Sequence, residues 1–341
     1  MDQPTNQSLP PSAQLMDMLF GYALSQSISA AAQCGVADAL AHGAKNIDTL
    51  AHATETHERS LYRLMRALAS VGIFSEDPDG RFSLTPLAEP LLSGAPDSIA
   101  SYATMTGSDW FYNTWGQLPY SLRSGEPAFD FLHGKSMFEY LTENPAAAQI
   151  FNDGMTATSM PESAAIVSAC DFSSVRKLVD VGGGHGLLLS AILKKYPEMK
   201  GVLFDSQPVI ENALSVFAEP PLSGRCECMA GDFFHSVPQN GDTYILKYII
   251  HDWDDENALT ILRNCREAMA QDGRVLVVEI IVSEGNTPCI GKFLDLLMLL
   301  FLRGFERTET EYRNLFERAG FTINRIVPTP SPLSVIELVK K

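Results

Sequence analysis

Two kinds of hydrophobic pattern divide this chain. Over residues 15–42, Leu15, Met18, Leu19, Tyr22, Ile28, Ala31, Ala32 and Leu40 recur at helical spacing and predict an amphipathic helix. Leu61, Leu64, Met65, Leu68 and Val71 repeat that spacing over 58–71, and Gly72 supplies a stop. Asn46 to Thr54 reads as a short helix between them. Ile73-Phe74-Ser75 and Arg81-Phe82-Ser83-Leu84 then flank Asp77-Pro78-Asp79-Gly80, a strong hairpin turn. Helix, turn, helix, hairpin is a winged-helix-like order. Residues 95–165 continue as helices, and the polar, proline-containing stretch 1–14 is expected to be disordered.

Beyond residue 175 the pattern changes to short apolar runs that end in glycine or an acid. Strands are predicted at Val179-Asp180-Val181, Gly201 to Asp205, a run closing at Ala230, Tyr244 to Lys247 and Arg274 to Ile281. A helix from Asp254 to Gln271 buries Ala258, Ile261, Leu262, Cys265 and Met269. Strands alternating with helices predict a mostly parallel sheet. Phe321 to Val327 and Leu333 to Val339, around Pro328 to Pro332, read as a closing antiparallel pair. Strand order is left open by sequence.

The densest chemical signal is Asp180-Val181-Gly182-Gly183-Gly184-His185-Gly186. Its glycines let the backbone approach a flat polar ligand without a clashing Cβ. A dinucleotide fingerprint wants its third glycine at position 187, which is leucine. The carboxylate of Asp180 suits a cationic ligand better than a pyrophosphate. Asp205 follows Gly186 by 19 residues, near the spacing at which an acid after the second strand grips ribose hydroxyls. Gly231-Asp232-Phe233 places an acid beside an aromatic, a pairing suited to adenine. Lys247 and His251 follow the fourth strand, within Leu246-Lys247 to His251-Asp252-Trp253.

In this order these segments resemble the plant-type caffeate and flavonoid O-methyltransferase family, whose bacterial relatives modify secondary metabolites. The resemblance runs from about residue 15 to the C-terminus. It implies a class I methyltransferase Rossmann-like α/β sheet (residues 111–341) behind a mostly helical, winged-helix-like dimerisation domain (residues 1–110). It implies a homodimer, S-adenosylmethionine as methyl donor, a small aromatic hydroxylated acceptor and no metal. The donor would be held by Asp180, Gly182, Gly184, Asp205, Asp232, Phe233 and Lys247. His251 occupies the family's base position, and Glu279 and Glu306 match glutamates that flank the base. Phe151, Met155, Asp252, Asp295 and Met298 fall in the segments that line the acceptor pocket.

The chemistry agrees with that assignment. A phenol with a pKa of about 10 is mostly protonated at neutral pH, and a neutral histidine with a pKa of about 6.5 is a suitable base. An N- or C-methyltransferase on the same scaffold, or a donor-binding protein without catalysis, are alternatives. His185 has no second histidine or cysteine at ligand spacing, so no metal is expected there. The remaining histidines, His133 among them, lie in polar surroundings and are expected at the surface.

Composition narrows the partners. The 341 residues carry a formal net charge of −16, which disfavours nucleic acid and anionic membranes. Arg59, Arg63 and Arg66 are offset by Asp48, Glu55 and Glu58, so the winged-helix-like segment lacks a DNA footprint. Met1 to Asn6 lacks the regions of a signal peptide, and the apolar run Phe293 to Leu302 is too short to span a bilayer. Six scattered cysteines argue against a disulfide framework. A cytoplasmic protein is expected.

Overall fold

The computed structural model describes residues 9–341. Internal contacts divide the chain into two units. The first comprises the residues up to Asn113 with Asn144–Thr158, and the second comprises Thr114–Glu143 with Ser159–Lys341.

In the first unit the expected helix over 15–42 is three helices, Pro11–Leu19, Gly21–Gln33 and Val36–Leu40. Gly35, in the left-handed region at φ 65°, makes the second break. Helix from Pro11 overturns the expected disorder over 11–14: proline is accommodated at the first helical position, where its missing N–H costs nothing. Residues 1–8, and with them the signal-peptide reading of Met1 to Asn6, lie outside the described residues. The apolar face also divides. Ala31 and Leu40 enter a core with Leu61, Met65 and Leu68 of the helix Glu58–Ser70, whereas Leu15, Met18, Leu19 and Tyr22 are 60–70% exposed. The hairpin forms as β1 (Phe74–Glu76) and β2 (Phe82–Leu84), and Asp77 Oδ1 accepts the N–H groups of Asp79 and Arg81 in its turn.

The second unit is built on one sheet. Its strands are β3 (Lys177–Val181), β4 (Lys200–Asp205), β5 (Cys226–Ala230), β6 (Thr243–Lys247), β7 (Arg274–Val282), β8 (Arg307–Thr308), β9 (Phe321–Pro328) and β10 (Leu333–Lys340). The order is β5-β4-β3-β6-β7-β10-β9, with β8 parallel to the end of β7. β3 to β7 are parallel, and β10 enters antiparallel between β7 and β9.

Strand β7 shows why the sheet is covered on both faces. Val275 and Val277 pack with Ala258, Ile261 and Leu262 of the helix Asp255–Ala268. Leu276 and Val278 pack with Leu189, Ile192 and Leu193 of the helix Leu187–Lys195. Alternate residues of a strand face opposite ways, so a strand buried on both sides reads as a continuous apolar run. Glu279 interrupts that run and is fully buried. β4 and β6 flank β3 on opposite sides, so the topology switches beside β3 and opens a crevice at its carboxyl end. No helix among the described residues is long and apolar enough to cross a membrane.

Candidate active site

The glycine turn is shaped by close approach. Gly182, Gly184 and Gly186 all take positive φ. A Cβ on Gly182 would lie 2.3 Å from Ile249, and one on Gly186 would lie 2.6 Å from the Phe217 ring. A Cβ on Gly184 would meet nothing within 4 Å, so the turn opens to free space there. Asp205, at the end of β4, braces it: Oδ2 accepts the Gly184 N–H at 2.9 Å and Oδ1 accepts the Ser206 N–H at 2.7 Å. Asp180 lies beneath the turn, 2% exposed, and its Oδ2 is buried without a hydrogen bond. Burial, reinforced by the neighbouring Asp205 charge, pushes the Asp180 carboxyl up to about 7.

Phe233 edges onto Trp253 with centroids 6.1 Å apart, and its ring stands 3.7 Å from where a Gly182 Cβ would be. Asp232 is exposed and accepts the Phe234 N–H at 2.8 Å. Lys247, at the end of β6, points elsewhere. Its Nζ lies 2.7 Å from Glu162 and 3.0 Å from Ser159 Oγ, both on the helix Pro145–Ala169. The Tyr248 hydroxyl donates to the other Glu162 oxygen at 2.9 Å.

His251 sits in a single 3-10 turn, Ile250–Asp252, entered through Tyr248 at φ 56°. The imidazole is nearly buried, and the Tyr248 ring stacks on it at 5.0 Å. Nδ1 lies 2.7 Å from Glu306 Oε1, and Nε2 lies 3.2 Å from Asp252 Oδ1. Glu279 Oε2 is 3.8 Å from Nδ1. Its Oε1 accepts the backbone N–H groups of Ile249, Ile250 and His251 at 2.9–3.3 Å. Asp295 Oδ1 in turn accepts the Glu306 N–H at 2.9 Å.

Burial alone would push this imidazole down. The carboxylates of Glu279, Asp252 and Glu306 reverse that and hold it well above 6.5. The sequence reading takes a neutral histidine as the base; here the surrounding carboxylates favour the protonated ring. Burial raises Glu279 to about 7, against the pull of the His251 charge. Ligand atoms of His251, Glu279 and Glu306 also lie within 4.8 Å of one another, close enough for a shared cation. Sequence spacing around His185 gave no hint of this cluster, because its members come from separate segments.

The two groups of residues adjoin through Ile249, which packs against Gly182 two residues before His251. Met298 is 6% exposed on the helix Gly291–Phe301, which also carries Asp295. Phe151 and Met155 belong to the first unit, on the helix Pro145–Ala169. His133, expected at the surface, stands half-buried against Phe129 and Tyr140 at 4.3 and 4.7 Å. Glu162 and Tyr248 went unmarked in the sequence. The only available signal was a non-glycine residue between Lys247 and His251, in no recognisable turn motif.

An O-methyltransferase domain model matches residues 115–322, and an O-methyltransferase dimerisation domain model matches residues 16–94. The chain is similar to a phenazine O-methyltransferase of Lysobacter antibioticus, 42% identical over 97% of this chain and 96% of that one. It is also similar to phenazine-1-carboxylate N-methyltransferase of Pseudomonas aeruginosa, 32% identical over 97% and 98% of the two chains. Among solved structures, an O-methyltransferase from neocarzinostatin biosynthesis (NcsB1) superposes with a TM-score of 0.80 at 32% identity, covering 94% of this chain and 96% of that one. That structure contains S-adenosylmethionine and 2-hydroxy-5-methyl naphthoic acid. Two domain models in tandem, relatives matched along nearly their full length and a neighbour solved with the donor bound all agree: the chain belongs to the plant-type O-methyltransferase family of S-adenosylmethionine-dependent enzymes.

Proposed function

We propose that this protein transfers a methyl group from S-adenosylmethionine to a hydroxyl of a small aromatic secondary metabolite, with His251 as the general base. The observation that carries this is the 2.7 Å contact between His251 Nδ1 and Glu306 Oε1, beside the glycine turn. A carboxylate on Nδ1 fixes the ring and leaves Nε2 to take a proton. Asp252 Oδ1, next to Nε2, orients the acceptor hydroxyl. Glu279 holds the turn through its three N–H groups. Before it acts, His251 must release the second proton that its carboxylates favour.

The donor site fits its ligand. An ionised carboxylate offers about four lone-pair sites, and Asp205 has two engaged by N–H groups, which leaves sites for ribose hydroxyls. Gly182 and Gly184 bring backbone to the opening, Asp232 and Phe233 suit adenine, and Asp180 acts from beneath the turn. Lys247 acts through Glu162. When bound, the donor supplies the methyl group as a sulfonium with a good leaving group. Phe151, Met155, Asp295 and Met298 belong to the acceptor side. Residues 1–110 form the dimerisation part and 111–341 the methyltransferase part. The exposed row Leu15, Met18, Leu19 and Tyr22 supports a homodimer. Six free cysteines support a reducing, cytoplasmic setting.

We read the His251 cluster as a proton site and not as a metal site. A 2.7 Å N···O contact has the length of a charge-assisted hydrogen bond. The 42% identical relative makes hydroxylated phenazines the first acceptors to try, followed by phenols, catechols and hydroxynaphthoates. Mass spectrometry of products should show one added methyl, lost on ether cleavage with boron tribromide, with the rate unchanged after chelation. Methylation only of amines, or activity abolished by chelation and restored by a divalent ion, contradicts this reading.

A further inference from the structure

The turn that carries His251 is held from both polarities. Glu279 gathers its N–H groups, as described. Its carbonyl groups are gathered by the segment 304–307. The Phe305 N–H donates to the His251 carbonyl at 2.8 Å. Arg307 Nη1 donates to the Ile250 carbonyl at 3.1 Å, and Nη2 donates to the Trp253 carbonyl at 2.9 Å. The same guanidinium bonds Asp255 at 3.0 Å and the Phe305 carbonyl at 3.3 Å, and the side chain is only 3% exposed. Gly304 permits the approach: a Cβ there would lie 1.8 Å from the His251 carbonyl oxygen. Glu306, between these residues, holds Nδ1. The pairing of Arg307 with Ile281 fixes the segment beside β7, the strand that carries Glu279.

A buried arginine whose only role is to fill and stabilise a core has no need to span one short turn. This one bonds carbonyls on both sides of His251. A guanidinium presents five donors in a fixed fork, and a lysine ammonium cannot reproduce that geometry. We propose that Arg307 is a positioning residue for the base: its guanidinium clamps the carbonyl side of the turn and so fixes where His251 Nε2 points. This rests on the reading of His251 as the base. Arg307 touches no reacting atom. Its effect on the rate passes through the imidazole, and misplacement by about 1 Å is enough to cost about 10²-fold.

The test compares wild type, Arg307→Lys, Arg307→Met, His251→Gln and the double variant His251→Gln/Arg307→Lys in the full-length enzyme. S-adenosylhomocysteine titration gives donor affinity, and methylation kinetics are taken across pH. Arg307→Lys is expected to keep donor affinity and acceptor KM within about threefold and to lower kcat by about 10–100-fold. That loss should shrink as pH approaches the acceptor's own pKa, where the acceptor arrives ionised and needs no base. The double variant should be no slower than His251→Gln alone. If Arg307→Met fails to fold, Arg307→Lys, which keeps the stem and the charge, decides the matter. Multiplying losses in the double variant, a loss constant across pH, wild-type kcat, or failure of Arg307→Lys to fold each overturns the proposal while leaving the base in place. Full activity of His251→Gln at pH 7 instead overturns the base reading, and the proposal with it.

Discussion

The two ends of the crevice are built from different materials. At the glycine turn the contacts are mostly backbone: positive-φ glycines, an N–H from Gly184 and an N–H from Ser206, all within one strand-turn-helix and the strand beside it. At the base the contacts are side chains from distant segments. Glu279 and Glu306 reach His251 from 28 and 55 residues away. A backbone cradle is fixed by local conformation, with the carboxyls of Asp180 and Asp205 beneath and beside it. A side-chain cluster carries charges into a buried place, so its members reset one another's proton affinity. On the proposed function the first end holds the donor and the second handles the proton, so each should break without the other.

The largest break is expected at the base. His251→Gln should lower kcat by about 10²–10⁴, the contribution of a positioned general base. Donor affinity, measured by titration with S-adenosylhomocysteine, should stay near wild type. A parallel loss of donor affinity would merge the two ends into one site and remove the contrast.

Asp180 tests the electrostatics of the cradle end. Its carboxyl is raised to about 7 in the fold, against 3.8 for the ordinary group. The native state therefore favours the protonated form. The associated stability is fully present below about 3.8 and is lost as pH rises through about 7. Asp180→Asn mimics the protonated carboxyl and should stabilise the protein at pH 8 by about 4 kcal/mol, with little change near pH 4. Urea unfolding at the two pH values measures this. A variant less stable at pH 8 than wild type would show that the ionised carboxylate is held by a partner.

Asp205→Ala should weaken donor binding by about 2–3 kcal/mol, since charge-assisted hydrogen bonds contribute about 1.5–3 kcal/mol each and water replaces part of them. The pH dependence of its residual kcat should remain that of wild type. A shifted profile would mean that the cradle also tunes the base.

The smallest effect is expected at Glu279. In Glu279→Gln the amide oxygen can still accept the three N–H groups that Oε1 accepts now. The turn should survive and kcat should fall by only about 10-fold. A loss as large as that of His251→Gln would give Glu279 a direct part in moving the proton.

Local pattern made the cradle legible. Asp180, the three glycines, Asp205 and Phe233 each stand at a strand end, and the strands announced themselves as apolar runs. The hairpin was equally plain, because Asp77 and Gly80 satisfy one turn between them. His251 stood out at the end of the fourth strand, but its part as base and those of Glu279 and Glu306 were marked only through the family resemblance. Nothing local revealed that Glu279 and Glu306 would join Asp252 in pulling the imidazole above 6.5. Arg307 escaped for the same reason: its partners are carbonyl groups, which every residue has. The helix over 15–42 shows a different limit. Periodicity marked Leu15 and Ala31 as equally apolar, yet only Ala31 meets a core within the chain. A hydrophobic stripe says that a face wants burial and is silent on what buries it.

The most direct test of the base is the pH profile of kcat for wild type and His251→Gln on one hydroxylated acceptor. A base must be deprotonated to act, and its carboxylates hold His251 well above 6.5. Wild-type kcat should therefore rise with pH, with a midpoint above 6.5, and then level off. His251→Gln should lack that midpoint and climb steadily toward the acceptor's own pKa, where solvent supplies the ionised acceptor. Superimposable profiles with equal kcat at pH 7 would show that His251 takes no proton in this reaction.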